Sequence, residues 1–395
     1  MRNTRILISG ASIAGPTAAF WLNRRGFSTT VVERAPALRA GGQAVDFRGN
    51  QMDVLRRMGL LDEVRRHQTG MGPQLVLDES GKQVAAMPPE FISGEVEILR
   101  GDLNRILYDA TKAGTEYVFG DWITSLTEVA DGVEVTFAHG APRKFDLVIG
   151  ADGLHSGVRA LAFGPEQQFR KDTGYHFAGF TAPNHLGLDR TGLIYNVPAR
   201  GIMVGSKPGN ATVNVGLWFS EAGLGYDRRD VGQQKKIVRE LYRGIGWEMP
   251  KLLDALDNAD DLYFDTLCQM HLEHYTKGRV ALVGDAGWGA GPGGGGTGLA
   301  MMSAYVLAGE LAAAGGDHTV AFPRYETEVR PAAEAGLKQA ANAGPFLAPP
   351  TTVKIRRRNR SYKLLFRQPL LSLFLRMAVK AANTLSLKDY CAVRY

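Results

Sequence analysis

The stretch from Arg5 to Ala35, RILISGASIAGPTAAFWLNRRGFSTTVVERA, constrains this chain more than any other. RILIS is a short apolar run ended by Gly10, and it reads as a buried strand. Ala14 to Arg25 reads as a helix, with Ala14, Ala18 and Ala19 as small inward positions and Gly26 as its stop. STTVVE, residues 28–33, is rich in β-branched residues and reads as a second strand. Strand, tight turn, helix and strand at this spacing make one half of a Rossmann fold. In the turn, GASIAG, bare backbone amides and a helix N-terminus face one point, which suits a pyrophosphate. Gly10 permits the turn, and Gly15 lets helix and strand approach closely. Ser12 stands where a middle glycine is usual and adds a hydroxyl donor. With Ile13 and Ala14, these residues are predicted to hold the phosphates of a dinucleotide. Glu33, with Arg34 after it, ends the second strand where an acid can hold a ribose hydroxyl.

Two later stretches repeat the pattern. FDLVIGADGLHSGVR (residues 145–159) and RVALVGDAGWGAGPGGGGTGLA (residues 279–300) each run from an apolar strand into a glycine–acid turn and then a helix. Strand C-termini are where α/β sheets place ligands, so the three turns are expected to meet around one ligand.

In combination these turns resemble the FAD-dependent aromatic monooxygenases of the para-hydroxybenzoate hydroxylase type, the class A flavoprotein monooxygenases, over residues 1 to about 345. The resemblance implies an α/β, Rossmann-like FAD-binding domain. Asp152 of ADGLHSGVR lies in a motif that touches both FAD and the pyridine nucleotide. Gly284 and Asp285 lie in the motif whose aspartate holds the flavin side chain. ILRGDLNRIL places Arg100 near the flavin, and the loop from Gly41 to Gly49, with Gly42 and Gln43, passes the isoalloxazine ring. Trp288 stands where many members have His. The resemblance also implies NADPH or NADH as a transient co-substrate, O2 as oxidant, and a flavin C4a-hydroperoxide that oxygenates an aromatic or polyketide-like small molecule. Within the family, GASIAGPTAAFWL, GGQAVDFRG and GDAGW with its glycine run resemble small bacterial members acting on polyketide-like or antibiotic aromatics. An FAD-dependent dehydrogenase or reductase, or a non-catalytic flavin-binding protein, remains the alternative on the same motifs.

The glycine run before the helix predicted from Thr297 to Ala314 fits a flavin on physical grounds. Gly295, Gly296, Thr297 and Gly298 offer bare amides at a helix N-terminus, a preorganised stabiliser for the anionic reduced ring.

The rest of the chain supplies the remaining expectations. Residues 1–172 and 271–345 are assigned to the FAD-binding domain, 173–270 to a mostly β substrate domain, and 346–395 to a basic helical tail. HFAGFTA, GLIYNVP, GIMVGSK and ATVNVGLWF read as four strands. Tyr195, Met203 and Trp218 on them are candidate substrate contacts, and His176 is a candidate catalytic base. His271 and His274 have metal-like spacing but no third ligand nearby, and no metal is expected. Residues 354–395 carry a net +10 and the remainder −4. The tail is read as a helix with its basic face solvated and its Leu/Phe face packed on the body, with a dimer contact or a weak membrane-surface contact as the alternatives. Sparse aromatic interleaving argues against nucleic acid as a partner. No run of 18 apolar residues suggests a membrane span. Two cysteines, Cys268 and Cys391, make no disulfide framework. The expectation is a cytoplasmic monomer or homodimer acting on a small aromatic molecule.

Overall fold

The computed structural model describes residues 2–38 and 42–390. Gly41 of the predicted flavin loop and Cys391 lie outside the described residues.

The first unit forms as its sequence predicts: strand Arg5–Ser9, helix Ala14–Arg24 and strand Ser28–Glu33. Gly26 ends the helix with φ of +83°, a conformation cheap only for glycine. These strands sit in a six-stranded sheet. Its order is Thr276–Lys277, Val280–Leu282, Leu147–Gly150, Arg5–Ser9, Ser28–Glu33 and Thr115–Phe119, parallel except for the two-residue edge strand. The chain runs outward from Arg5–Ser9 in one direction, then returns to place Leu147–Gly150 on its other side. The strand order therefore reverses between Arg5–Ser9 and Leu147–Gly150, the crevice where such sheets bind ligands. Helix Gly296–Ala313 is buried along almost its whole length against helices Ala14–Arg24 and His318–Ala340. Its all-round apolar sequence is that of a helix enclosed in a core.

A second sheet has seven strands: Tyr263–Met270, Arg170–Pro183, Thr212–Ser220, Arg200–Ser206, Thr191–Val197, Gln74–Leu77 and Gln83–Met87. All four strands read from the sequence are present. The domain boundary at residue 173 needs correction, because the hairpin of residues 74–87 joins this sheet through a parallel pairing of Gln74–Val76 with Gly192–Ile194. That pairing links segments more than a hundred residues apart, and local patterning carries no sign of it. Helices Val231–Tyr242 and Met249–Asn258 cover one face, burying Val238, Tyr242, Leu252 and Leu256 against Val213, Val215, Leu217 and Phe219.

The tail follows its sequence reading in part. Helix Thr352–Leu365 packs on the Gln83–Met87 edge strand and buries Tyr362 with Val76 and Met87. Helix Leu370–Ala382 follows it: Phe374 stacks on Phe91 at 4.9 Å and Leu371, Leu375 and Val379 are half-buried, while Leu370, Leu373 and Met377 are exposed. Beyond this helix the chain returns to the first domain as a strap. Asn383 accepts the Asn50 amide, Arg57 donates to the carbonyls of Leu387 and Lys388, and Tyr390 donates to buried Glu310 at 2.7 Å. No helix among the described residues is long and apolar enough to cross a membrane.

Candidate active site

The three glycine–acid turns meet. A Cβ on Gly10 would lie 2.5 Å from the Ala151 carbonyl oxygen, and one on Gly15 would lie 1.9 Å from the Gly10 carbonyl oxygen. Only bare backbone permits this approach. Ser9 donates to the Asp152 carboxylate at 3.3 Å, and the Val158 amide donates to it at 3.1 Å. A Cβ on Gly284 would come within 3.4 Å of the Ala14 Cβ, so the third turn reaches the first helix. Arg159, wholly buried, ties the second turn to the third by donating to the Ala286 and Leu154 carbonyls at 3.0 and 2.7 Å.

Around this junction opens a cleft. Arg100 starts the helix Arg100–Asp109, and its guanidinium donates to the Ser12 hydroxyl at 3.0 Å. Its own amide donates to the Gln43 carbonyl at 3.0 Å, and Gly42 faces its Cβ. The Asp285 side chain is solvent-accessible although protein surrounds it deeply, as befits the floor of a cleft. Among the described residues, no donor is within hydrogen-bond distance of its carboxylate. Burial raises the carboxyl above its ordinary range, and the Arg100 charge opposes that rise. Gly296 lies beside it, with its Cβ position 3.5 Å from Oδ1. Gly295 caps the long helix with φ of +64°, and a Cβ on Gly298 would strike Gln51 at 2.3 Å. The amides of Gly296, Thr297 and Gly298 at one end, and of Ser12, Ile13 and Ala14 at the other, have no acceptor among the described residues. Glu33 is engaged: its carboxylate accepts the Ala11 and Ala35 amides, each at 2.8 Å. Arg34 lies over the Trp122 ring at 5.1 Å.

Such a cleft has two amide-rich ends and an open acid between them, the complement of an extended, anionic dinucleotide. The family described as FAD binding domain matches residues 3–340. The chain belongs to the flavin-dependent monooxygenases of this family. A flavin-dependent monooxygenase of Legionella longbeachae is 37% identical over 342 residues, covering 85% of this chain and 88% of that one. An uncharacterized protein of Mycobacterium tuberculosis is 43% identical over 330 residues, covering 82% and 89%. The crystal structure of the tetracycline destructase Tet(55) superimposes with a TM-score of 0.85 at 34% identity, covering 99% of this chain and all of that one.

In this monooxygenase the second sheet sets one face toward the cleft. Met203 pairs with Gly216, and Phe177 pairs with Trp218, their rings 4.8 Å apart. Gly179, in register with Tyr263, would set a Cβ 2.7 Å from Gln43 Nε2. The cleft residues Arg100 and Asp285 act electrostatically on Tyr263, whose hydroxyl is pushed far above its ordinary range, mainly by burial. Met203 and Trp218 thus lie on the face toward the cleft. Tyr195 does not: it pairs with Ile202 on the opposite face, stacks on Trp247 at 5.0 Å and is buried under the helices. His176 is likewise corrected. It stacks on Phe219 at 5.2 Å within the covered face, and burial lowers its pKa. Both misplacements have one cause, the strand period of two, which puts Tyr195 and His176 on the face opposite Met203 and Trp218. His271 bonds Gln269 and His274 bonds Glu326. Trp288 is buried against Tyr275.

Sequence reasoning missed a bridge between the two sheets. His155, three residues beyond Asp152, holds Glu166 with Nδ1 at 2.9 Å and Asp265 of the second sheet with Nε2 at 3.0 Å. Tyr226 and Tyr263 donate to the same Asp265. Burial pulls the His155 pKa down, but the two carboxylates outweigh it and leave the value raised. Within ADGLHSGVR the histidine was visible. Its partners, 11 and 110 residues away, were not.

Proposed function

We propose that this protein uses NADPH or NADH and O2 to insert one oxygen atom into an aromatic, polyketide-like small molecule. The observation that carries this reading is the apolar face of the second sheet opposite its two covering helices, where the Phe177 and Trp218 rings lie over Gly179 and Gly216 with Met203 on the same face and Gln43 alongside. An apolar wall with few polar groups is what a flat, fused-ring substrate needs. The residues at the cleft fit FAD. The amides of Ser12, Ile13 and Ala14 suit its phosphates, and Asp285 suits the hydroxyls of its side chain. Gly295, Gly296, Thr297 and Gly298 suit the electron-rich end of its ring, with Gly42, Gln43 and Arg100 alongside. Asp152 braces the turns, and Glu33 must exchange its bond to the Ala11 amide, or share it, to reach a ribose. Arg34 lies at the rim. Bound FAD supplies the hydride acceptor and the means of activating O2. The chain's own contribution is to orient the substrate ring against Trp218 and Met203 and to keep water away. The balance is one substrate C–H, one O2, one NAD(P)H and one proton giving C–OH, NAD(P)+ and water.

The test is turnover by the purified holoenzyme under oxygen-18-enriched O2, with product read by mass spectrometry. Tetracycline is the first probe, because proteins 32–34% identical in sequence are tetracycline destructases. Simple and fused phenols follow. One labelled atom per product is expected. NAD(P)H consumption that yields only hydrogen peroxide or unlabelled product across the whole panel overturns the proposal and favours the reductase alternative.

A further inference from the structure

Helix Leu370–Ala382 is amphipathic, and it sits the wrong way round for a helix that belongs only to this body. Leu371, Leu375 and Val379 are half-buried and share the inward side. Leu370, Leu373, Phe374 and Met377, at the i, i+3, i+4, i+7 spacing of one helix face, are 38%, 56%, 36% and 61% exposed. Exposed large apolar residues are ordinary when scattered. Here Phe374 stacks on Phe91 at 4.9 Å, but Leu370, Leu373 and Met377 on the same stripe stay open and ask for a partner. By helical geometry Arg376 and Lys380 flank this stripe on one side.

The charge around the patch selects the partner. Residues 352–382 contain nine Lys or Arg and no Asp or Glu. Arg356, Arg357, Arg360 and Lys363 are exposed on the preceding helix. Among the described residues only Arg356 of these four is paired, with Glu79. A two-fold self-association through this face would set its basic rim against the same basic rim, since such an interface presents the same patch from both copies. An apolar stripe with a basic rim instead matches a bilayer surface with anionic headgroups. The stripe enters the acyl boundary, while the lysines and arginines remain among the phosphates. We propose that helices Thr352–Leu365 and Leu370–Ala382 dock this enzyme peripherally on anionic membrane surfaces. The residues that would hold FAD come from other segments. A bilayer is also where flat apolar substrates accumulate, which gives the attachment a use.

The experiment is co-sedimentation of the full-length holoenzyme with vesicles. One set is phosphatidylcholine, and the other contains about one-third phosphatidylglycerol to supply the negative surface potential. Partitioning onto the anionic vesicles is expected to exceed that onto neutral ones by at least about tenfold, and to weaken as salt shortens the Debye length. The double variant Leu373→Asp/Met377→Asp alters two exposed side chains. It should keep its bound FAD and its circular dichroism while losing vesicle binding. Arg376→Glu/Lys380→Glu should lose several-fold. Absence of binding to anionic vesicles overturns the proposal, as does equal binding to both sets that ignores the double variant. A concentration-dependent dimer in sedimentation velocity, abolished by Leu373→Asp/Met377→Asp, would make a second copy the occupant and overturn it equally.

Discussion

The two faces of the seven-stranded sheet are made from the same strands and differ in almost everything else. On the covered face Phe219, Leu217, Val215 and Val213 are buried side by side under two helices, with Tyr195 and His176 packed among their neighbours. On the other face the residues in between are Trp218, Gly216 and Asn214, paired with Phe177, Gly179 and Thr181. One face is filled by aliphatic and aromatic side chains under helices, and on the other glycines let the Phe177 and Trp218 rings lie down against the strands. If the open face selects the substrate as proposed, stability and substrate selection are separable at single-residue resolution in this enzyme.

The sharpest way to break that comparison is to truncate neighbours. Phe219→Ala removes a fully buried ring and is expected to cost about 3–5 kcal/mol of folding stability. Trp218→Ala, next to it, should cost markedly less and instead weaken binding of an aromatic substrate. Urea denaturation of both variants, with substrate titration followed by flavin absorbance, reads the two effects separately. Equal loss of stability would erase the distinction between the faces.

The bridge at His155 comes next in size. His155→Gln leaves Glu166 and Asp265 without their imidazolium, and about 3 kcal/mol of stability should go with it. The folded pKa is raised, so this stabilisation is complete below 6.5 and fades as pH rises through the folded value. The wild-type advantage in urea midpoint should thus be wider at mildly acidic pH than at pH 9.

Crowding the rings that lie over the glycines is the third test. Gly179→Val places branched carbon where Gln43 and the Phe177 ring now lie, at 2.7 and 2.8 Å. The Gln43 side chain can yield, so about 1 kcal/mol of stability is at stake. KM for an aromatic substrate should rise at least about tenfold, since a well-formed pocket rejects lost volume.

The smallest effect belongs to His176. Burial lowers its folded pKa, so the native state loses stability as pH falls below 6.5, by at most about 1.4 kcal/mol per pH unit. His176→Phe keeps the stack on Phe219 and should flatten that acid limb without altering turnover. A changed pH–rate profile would return His176 to the active site.

How much of this was legible depended on the range of the interaction concerned. The first turn, from Arg5 to Glu33, is local, and its strand, helix and stop residues were readable because spacing alone fixes them. The second and third turns were readable for the same reason, each being a strand running into glycine and an acid. The faces of the sheet were half readable: alternation in ATVNVGLWF placed Val213 and Phe219 together, but only the register against neighbouring strands shows which face lies under helices. That is why Tyr195 and His176 were misassigned while Met203 and Trp218 fell on the cleft side. The hairpin at residues 74–87, Arg159 as a strut and the His155–Asp265 bridge rest on partners distant in sequence, and no local pattern announces them.

The strap formed by residues 383–390 has a mechanical consequence. The chain leaves the first domain, builds the second sheet, returns to complete the first, passes along the far edge of the second sheet, and is then fastened back against the helix that holds Tyr305 and Glu310. Two lobes closed in this way behave like a box with a hasp rather than two bodies on a string. A wide swing of one against the other must first undo the fastening, so traffic of small molecules through the enzyme is left to motions of side chains and short loops at the rim.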